Sequence, residues 1–138
     1  MQRRSLAPFT LLALLCTSCV TEPGATAVLV HEHPLARVSD RGLVYATLEV
    51  AGAGVTTGEN DFVLTLTAPS SSDDPSLDFV VATMPAHTHR AEPSVIERTA
   101  GGYRIVALPF TMSGLWELRC GVEVGGATDS LVFDIDVP

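Results

Sequence analysis

The sequence predicts an all-β protein: a single immunoglobulin-like antiparallel β-sandwich of about seven strands, set behind an N-terminal signal and a tether. Three observations carry this expectation. From residue 36 onward, apolar residues recur at every second position in short runs, the period of an extended chain. Turn-rich stretches such as AGAGVTTGEN and PSSSDDPS separate those runs at the spacing of a sandwich. The pattern leaves almost no room for helix, which argues against any helical or α/β plan.

The first 18 residues read as an export signal. Arg3 and Arg4 precede an apolar stretch from Leu6 to Leu15, and small or polar residues follow at Thr17 and Ser18. That stretch falls short of the roughly 20 residues a permanent membrane-spanning helix needs. The segment LCTSC resembles a bacterial lipobox, with Cys16 standing where leucine is usual and Cys19 as the residue to be lipidated. Ordinary signal cleavage nearby is the alternative. Either route exports the chain, and contact with the membrane is then through a lipid anchor only, on the periplasmic side or at the cell surface.

Loss of Arg3 and Arg4, with all 16 acidic residues retained, takes the net charge from −8 to −10. Nucleic acid and anionic membrane faces are poor partners for such a surface. Residues 19–35 form the expected tether, broken by Pro23, Gly24 and Pro34 around the apolar run AVLV, a candidate edge strand. The tether also carries His31-Glu32-His33, expected as a solvated segment near the lipid, with weak zinc or copper capture as the alternative that its spacing allows. A strand-direction count sends this pair toward the end of the domain opposite the second histidine pair described below.

The domain proper is expected over residues 36–138. LVYATLEV (43–50) places Val44, Ala46, Leu48 and Val50 on one face, and DFVLTLT (61–67) does the same with Phe62, Leu64 and Leu66. LDFVVATM (77–84) follows the acidic Ser-rich loop. SVIERT (94–99) and YRIVALPF (103–110) flank Gly101 and Gly102, which read as a hairpin connection. WELRCGVEV (116–124) and SLVFDIDV (130–137) complete the set, the last with Leu131, Phe133, Ile135 and Val137 inward. Cys120 shares a face with Trp116, Leu118, Val122 and Val124. It is therefore expected as a single buried thiol, outside any disulfide pair.

The run GENDFVLTLT, then MPAHTH, then GGYRIVALPFTMSGLWELR, ending in a D-x-x-x-F-x-I strand, resembles the YtkA-like domain family, small exported bacterial domains related to the FixH proteins. The resemblance spans residues 58 to 136. It implies an immunoglobulin-like fold outside the cytoplasm and a connection with copper handling and oxidase assembly, and it does not imply an enzyme. In this sequence Thr88 stands where the family often has glycine between the histidines, and Arg90 where another glycine is frequent.

In an all-antiparallel meander, the strands ending at Met84 and Phe110 run in the same direction, with the strand 94–99 returning between them. Met84, His87 and His89 are thereby brought toward Met112. Thioether sulfur selects Cu(I) and imidazole accepts copper or zinc, so these four residues are the candidate metal ligands and copper the candidate ion. The competing expectation is that Met84 and Met112 pack in the core and the histidines are solvated. No nucleophile motif or zinc-hydrolase motif occurs, which points away from an enzyme. Two functions follow: transient copper binding with a metal-accepting protein as partner, or a structural or adaptor sandwich docking on an envelope protein without metal.

Overall fold

The computed structural model describes residues 34–138; the signal, Cys19, the AVLV run and the His31-Glu32-His33 pair lie outside the described residues. Nine strands and no helix are found among them: β1 (Leu35–Val38), β2 (Tyr45–Val50), β3 (Gly58–Thr67), β4 (Ser76–Thr83), β5 (Arg90–Ala91), β6 (Val95–Thr99), β7 (Gly102–Phe110), β8 (Gly114–Val124) and β9 (Ala127–Val137). They form two antiparallel sheets, ordered β1-β2-β3-β7-β6 and β5-β4-β8-β9. In the immunoglobulin scheme, β2-β3-β7-β6 takes the A-B-E-D order and β4-β8-β9 the C-F-G order, with β5 as a short extra strand beside C. The chain is thus an immunoglobulin-like β-sandwich.

Period-two alternation is what closes it. Ala46 and Leu48 of β2, Phe62 and Leu64 of β3, Ile105 and Leu108 of β7 face Val80 and Ala82 of β4, Trp116, Leu118, Cys120 and Val122 of β8, and Leu131, Phe133 and Ile135 of β9, all buried. Each Val, Leu, Ile and Phe side chain among them contributes roughly 1.5–3 kcal/mol by leaving water. The core holds three aromatics in contact: Phe110 meets Phe62 edge-on at 6.1 Å and Trp116, tilted, at 5.1 Å between ring centres.

Two devices fix the edges of this core. Between Asn60↔Leu108 and Phe62↔Ile105 the β3–β7 register slips, and Ala107 absorbs the extra residue at φ +52. Its N–H donates to Asp61 Oδ1 at 2.9 Å, and Arg104 pairs with the other carboxylate oxygen at 2.7 Å. The Ala107 amide and the Arg104 guanidinium together hold the Asp61 carboxyl below its usual pKa. At the opposite corner, Asp129 accepts from the Arg41 and Leu43 amides. Desolvation pushes the Asp129 pKa up, but its bonds from Ser39 and from the Ser130, Arg41 and Leu43 amides outweigh that and leave it lowered.

Three expectations change. The strands do not form a meander: β4 pairs with β8 and β5, while β6 pairs with β7 in the other sheet. A single flat meander would leave one face of every strand in water, whereas crossing to a second sheet buries the inner faces of both. Secondly, β1 was not foreseen; Leu35↔Leu48 and Val38↔Tyr45 add it antiparallel to β2, and with it the chain reverses once more than the strand count allowed. Thirdly, Gly102 is the first residue of β7, opposite Thr99, so Ala100-Gly101 alone make the hairpin turn.

Cys120 is fully buried and unpaired, as its register implied. Burial pushes its thiol up to about 12. The nucleophilic thiolate is therefore scarce at neutral pH and out of reach of reagent. A maleimide added to the folded protein is expected to leave Cys120 unlabelled, with labelling in denaturant titration rising only along the unfolding transition. Rapid labelling of Cys120 itself, located by peptide mapping, without denaturant would contradict this placement.

Candidate metal centre

The candidate loop begins where β4 ends. Pro85 sets φ for the second residue of a turn whose first carbonyl, that of Met84, accepts from the His87 amide at 3.0 Å. Two residues later the chain returns: the Met84 amide donates to the His89 carbonyl at 3.1 Å, and β5 then pairs back on β4 through Thr83↔Arg90. The loop is thus closed by its own backbone on both sides of His87. None of its residues has a positive φ, so Thr88 sits in this loop without the freedom of a glycine.

His87 and His89 are both exposed at this tip. Their ring centres lie 5.9 Å apart with the planes tilted by 55°. Arg90 does not stand beside them as a free cation. Its Nε and Nη2 both donate to Glu92 Oε1, at 3.0 and 2.7 Å, so its charge is offset within the same short segment. Residues two apart on extended chain share a face, and Arg90 and Glu92 use that relation.

The two methionines behave differently from the histidines. Met84 is buried, 3 % exposed, and belongs to the core. It also lines a hollow of about 250 Å³ with Pro85, Ala86, His87 and the facing segment Ser113–Leu115. Gly114, at φ +123, permits that approach: a Cβ there would lie 2.9 Å from the Met84 methyl carbon. Met112 is partly buried against the core and is not among the hollow's lining residues. Its carbonyl accepts the Trp116 indole N–H at 3.0 Å, which ties the turn after β7 to the aromatic stack.

The two loops therefore do share one rim, as expected, although the strands that carry them lie in different sheets. His87 is grouped with Met84 at the hollow and with His89 at the tip; Met112 stays apart as a packing residue. The expected set of four is thus split into an exposed imidazole pair above one buried thioether. Leu115, 53 % exposed at the lip of the hollow, was not singled out from sequence. Its signal was available, since Leu115 falls on the face of β8 opposite Trp116 and Leu118.

Among the described residues, no three His, Cys, Asp or Glu side chains gather as a metal-holding group. Any ion at this rim would therefore draw on two imidazoles plus a thioether, or on ligands from elsewhere. No family model matches the chain, and no curated protein or solved structure is significantly similar to it.

Proposed function

We propose that this chain is an exported, lipid-anchored, non-catalytic YtkA-like domain that takes up copper transiently at the His87–His89 tip and passes it to a metal-accepting envelope protein. The observation that carries the reading is the imidazole spacing. Two imidazoles ligating one ion at about 2 Å hold their ring centres up to roughly 6 Å apart, and these stand at 5.9 Å on a loop pinned by its own backbone. Small rotations about the side-chain bonds then suffice to bring both rings onto one ion.

Exposure of both rings suits transfer, because a ligand that an acceptor can displace must be reachable by it. Met84 lines the hollow with His87 and would add a soft thioether donor that favours Cu(I). Anchoring at Cys19 would keep the domain at a membrane surface, with the acidic body in solution. The role of the sandwich is to hold the tip still, and no bond-making chemistry is assigned to it.

The test is a Cu(I) titration of the full chain under reducing conditions against a competing chelator, beside a His87→Ala/His89→Ala variant. One equivalent bound by the parent and lost in the variant is the expected result. No binding tighter than micromolar in the parent would sink the copper reading. It would leave the adaptor reading, which the exposed edge strand β6 favours: all five of its residues are exposed, Val95 and Ile96 among them, as a place for an added strand.

A further inference from the structure

The two sheets end in four edge strands, β1 and β6 in one, β5 and β9 in the other. An open edge offers its backbone N–H and C=O groups to another strand, and folded proteins blunt such edges by shortness, charge or cover. Three of the four are blunted here. β1 and β9 close on each other: the Asp40 amide, just past β1, donates to the Ser130 carbonyl at 2.9 Å, and Arg37 Nη2 lies 3.8 Å from Asp134 Oδ2. β5 is only two residues long. β6 differs, with five residues free of proline and bulge, paired among the described residues with β7 alone.

Its side chains suit pairing. Val95 and Ile96 are 47 % and 38 % exposed, and branching at Cβ favours the extended chain. Ile96 lies opposite the fully buried Ile105, so it points to the inner side of the sheet. It stays partly open because β5 packs over β7, one strand in from the edge, and leaves β6 overhanging. A strand added at β6 therefore lands beside Ile96 without meeting the described strands of the second sheet.

We propose that a second copy of this chain covers the β6 edge, the two β6 strands pairing antiparallel about a two-fold axis centred on Ile96, so that two five-stranded sheets run on as one. The pairing does not rest on the copper reading. A two-fold axis through such a pair sets one residue against itself and keeps the faces matched. Centred on Glu97 it would oppose two carboxylates, and centred on Arg98 two guanidinium groups, both unfavourable. Centred on Val95 it would bring Pro93, which has no N–H, opposite Glu97 inside the ladder. Centred on Ile96 it sets Ile96 against the partner's Ile96, Val95 against the partner's Glu97 and Ser94 against the partner's Arg98. Each Glu97 keeps Arg104 of its own β7 at 3.9 Å, and the two Ile96 side chains cover one another. The strand is thus complementary to itself in one register.

The experiment follows the full chain, purified in detergent, by sedimentation over a concentration series beside Ile96→Arg, with thermal unfolding checked for both. The parent is expected to dimerise with a Kd on the order of 10–100 µM, since one strand pair is a smaller contact than the roughly 1,200 Å² of a standard interface. Ile96→Arg sets two cations opposite each other and should associate at least about tenfold more weakly. Ile96→Cys and Thr99→Cys are then treated with a short bismaleimide, and the crosslinks are located by peptide mapping. Position 96 should link to its own copy, with Cα atoms about 5 Å apart, and position 99 should not, at about 20 Å. A parent still monomeric at about ten times the expected Kd overturns the proposal and leaves the edge to a strand of a different protein. Undiminished dimer in Ile96→Arg, or self-linking at position 99 in place of 96, overturns it as well.

Discussion

Replacing Gly102 by alanine is expected to destabilise the protein by about 3–5 kcal/mol, the sum of a sterically forbidden backbone and a backbone clash, each of order 1–3 kcal/mol. Gly102 opens β7 at φ +147, a conformation that residues with a Cβ rarely adopt. A Cβ built there would run into the Leu64 carbonyl oxygen and come within 3.0 Å of the Thr65 Cα, both on the neighbouring β3. These are backbone atoms inside the sheet, so no side-chain rotation relieves the contact. Against a domain stability of about 5–15 kcal/mol, the loss is large; the melting temperature should fall by roughly 15 °C or more.

The control lies one residue away. Gly101 has open space at its Cβ position and is confined to the Ala100-Gly101 turn. Gly101→Ala should therefore melt close to the parent. If Gly102→Ala and Gly101→Ala unfold at the same temperature, the close approach of β7 to β3 at Leu64 is not a constraint on this fold. The outcome also bears on the site, because β7 leads directly to the turn at Met112.

Much of this fold was legible because a sandwich writes its inner faces as alternation. Phe62, Leu64, Leu118, Cys120, Leu131 and Phe133 all fall inward, as their spacing required. What alternation cannot say is which strand lies beside which. β4 and β6 each read as strands, and only the need to cover both inner faces sends β4 to β8 and β6 to β7. β1 was invisible for a different reason: LARV is four residues long and directly follows Pro34, so its periodicity is too brief to separate from an extended tether.

The candidate site shows the same division. The turn at Pro85, the exposure of His87 and His89, and the shared rim follow from residue types and strand direction. The fate of the methionines did not, since a thioether at a strand end packs inward or turns outward with nearly equal ease. Here Gly114 decides for Met84, because the missing Cβ leaves room for its methyl group. Arg90 illustrates the converse. As a bare charge beside the histidines it argues against a cation, yet Glu92 two residues on takes both of its donors.

Replacing Trp116 is expected to separate the stability of the rim from its capacity to bind. Trp116 is fully buried, the only tryptophan in the chain, packed against Phe110 and donating its indole N–H to the Met112 carbonyl. Trp116→Ala removes the largest side chain of the core and should cost about 3–5 kcal/mol. Trp116→Phe keeps most of the aromatic packing but leaves the Met112 carbonyl without its donor, a loss of about 1–3 kcal/mol. Hydrogen exchange should then quicken at Met112, Ser113 and Gly114 while β8 beyond Leu118 stays protected. The imidazole tip is held by a different set of bonds, those of Met84 with His87 and His89. On the copper reading proposed above, affinity in the folded Trp116→Phe protein should therefore match the parent. A fall in affinity parallel to the fall in stability would mean that the Met112 turn, and not the β4–β5 loop alone, positions the ligands.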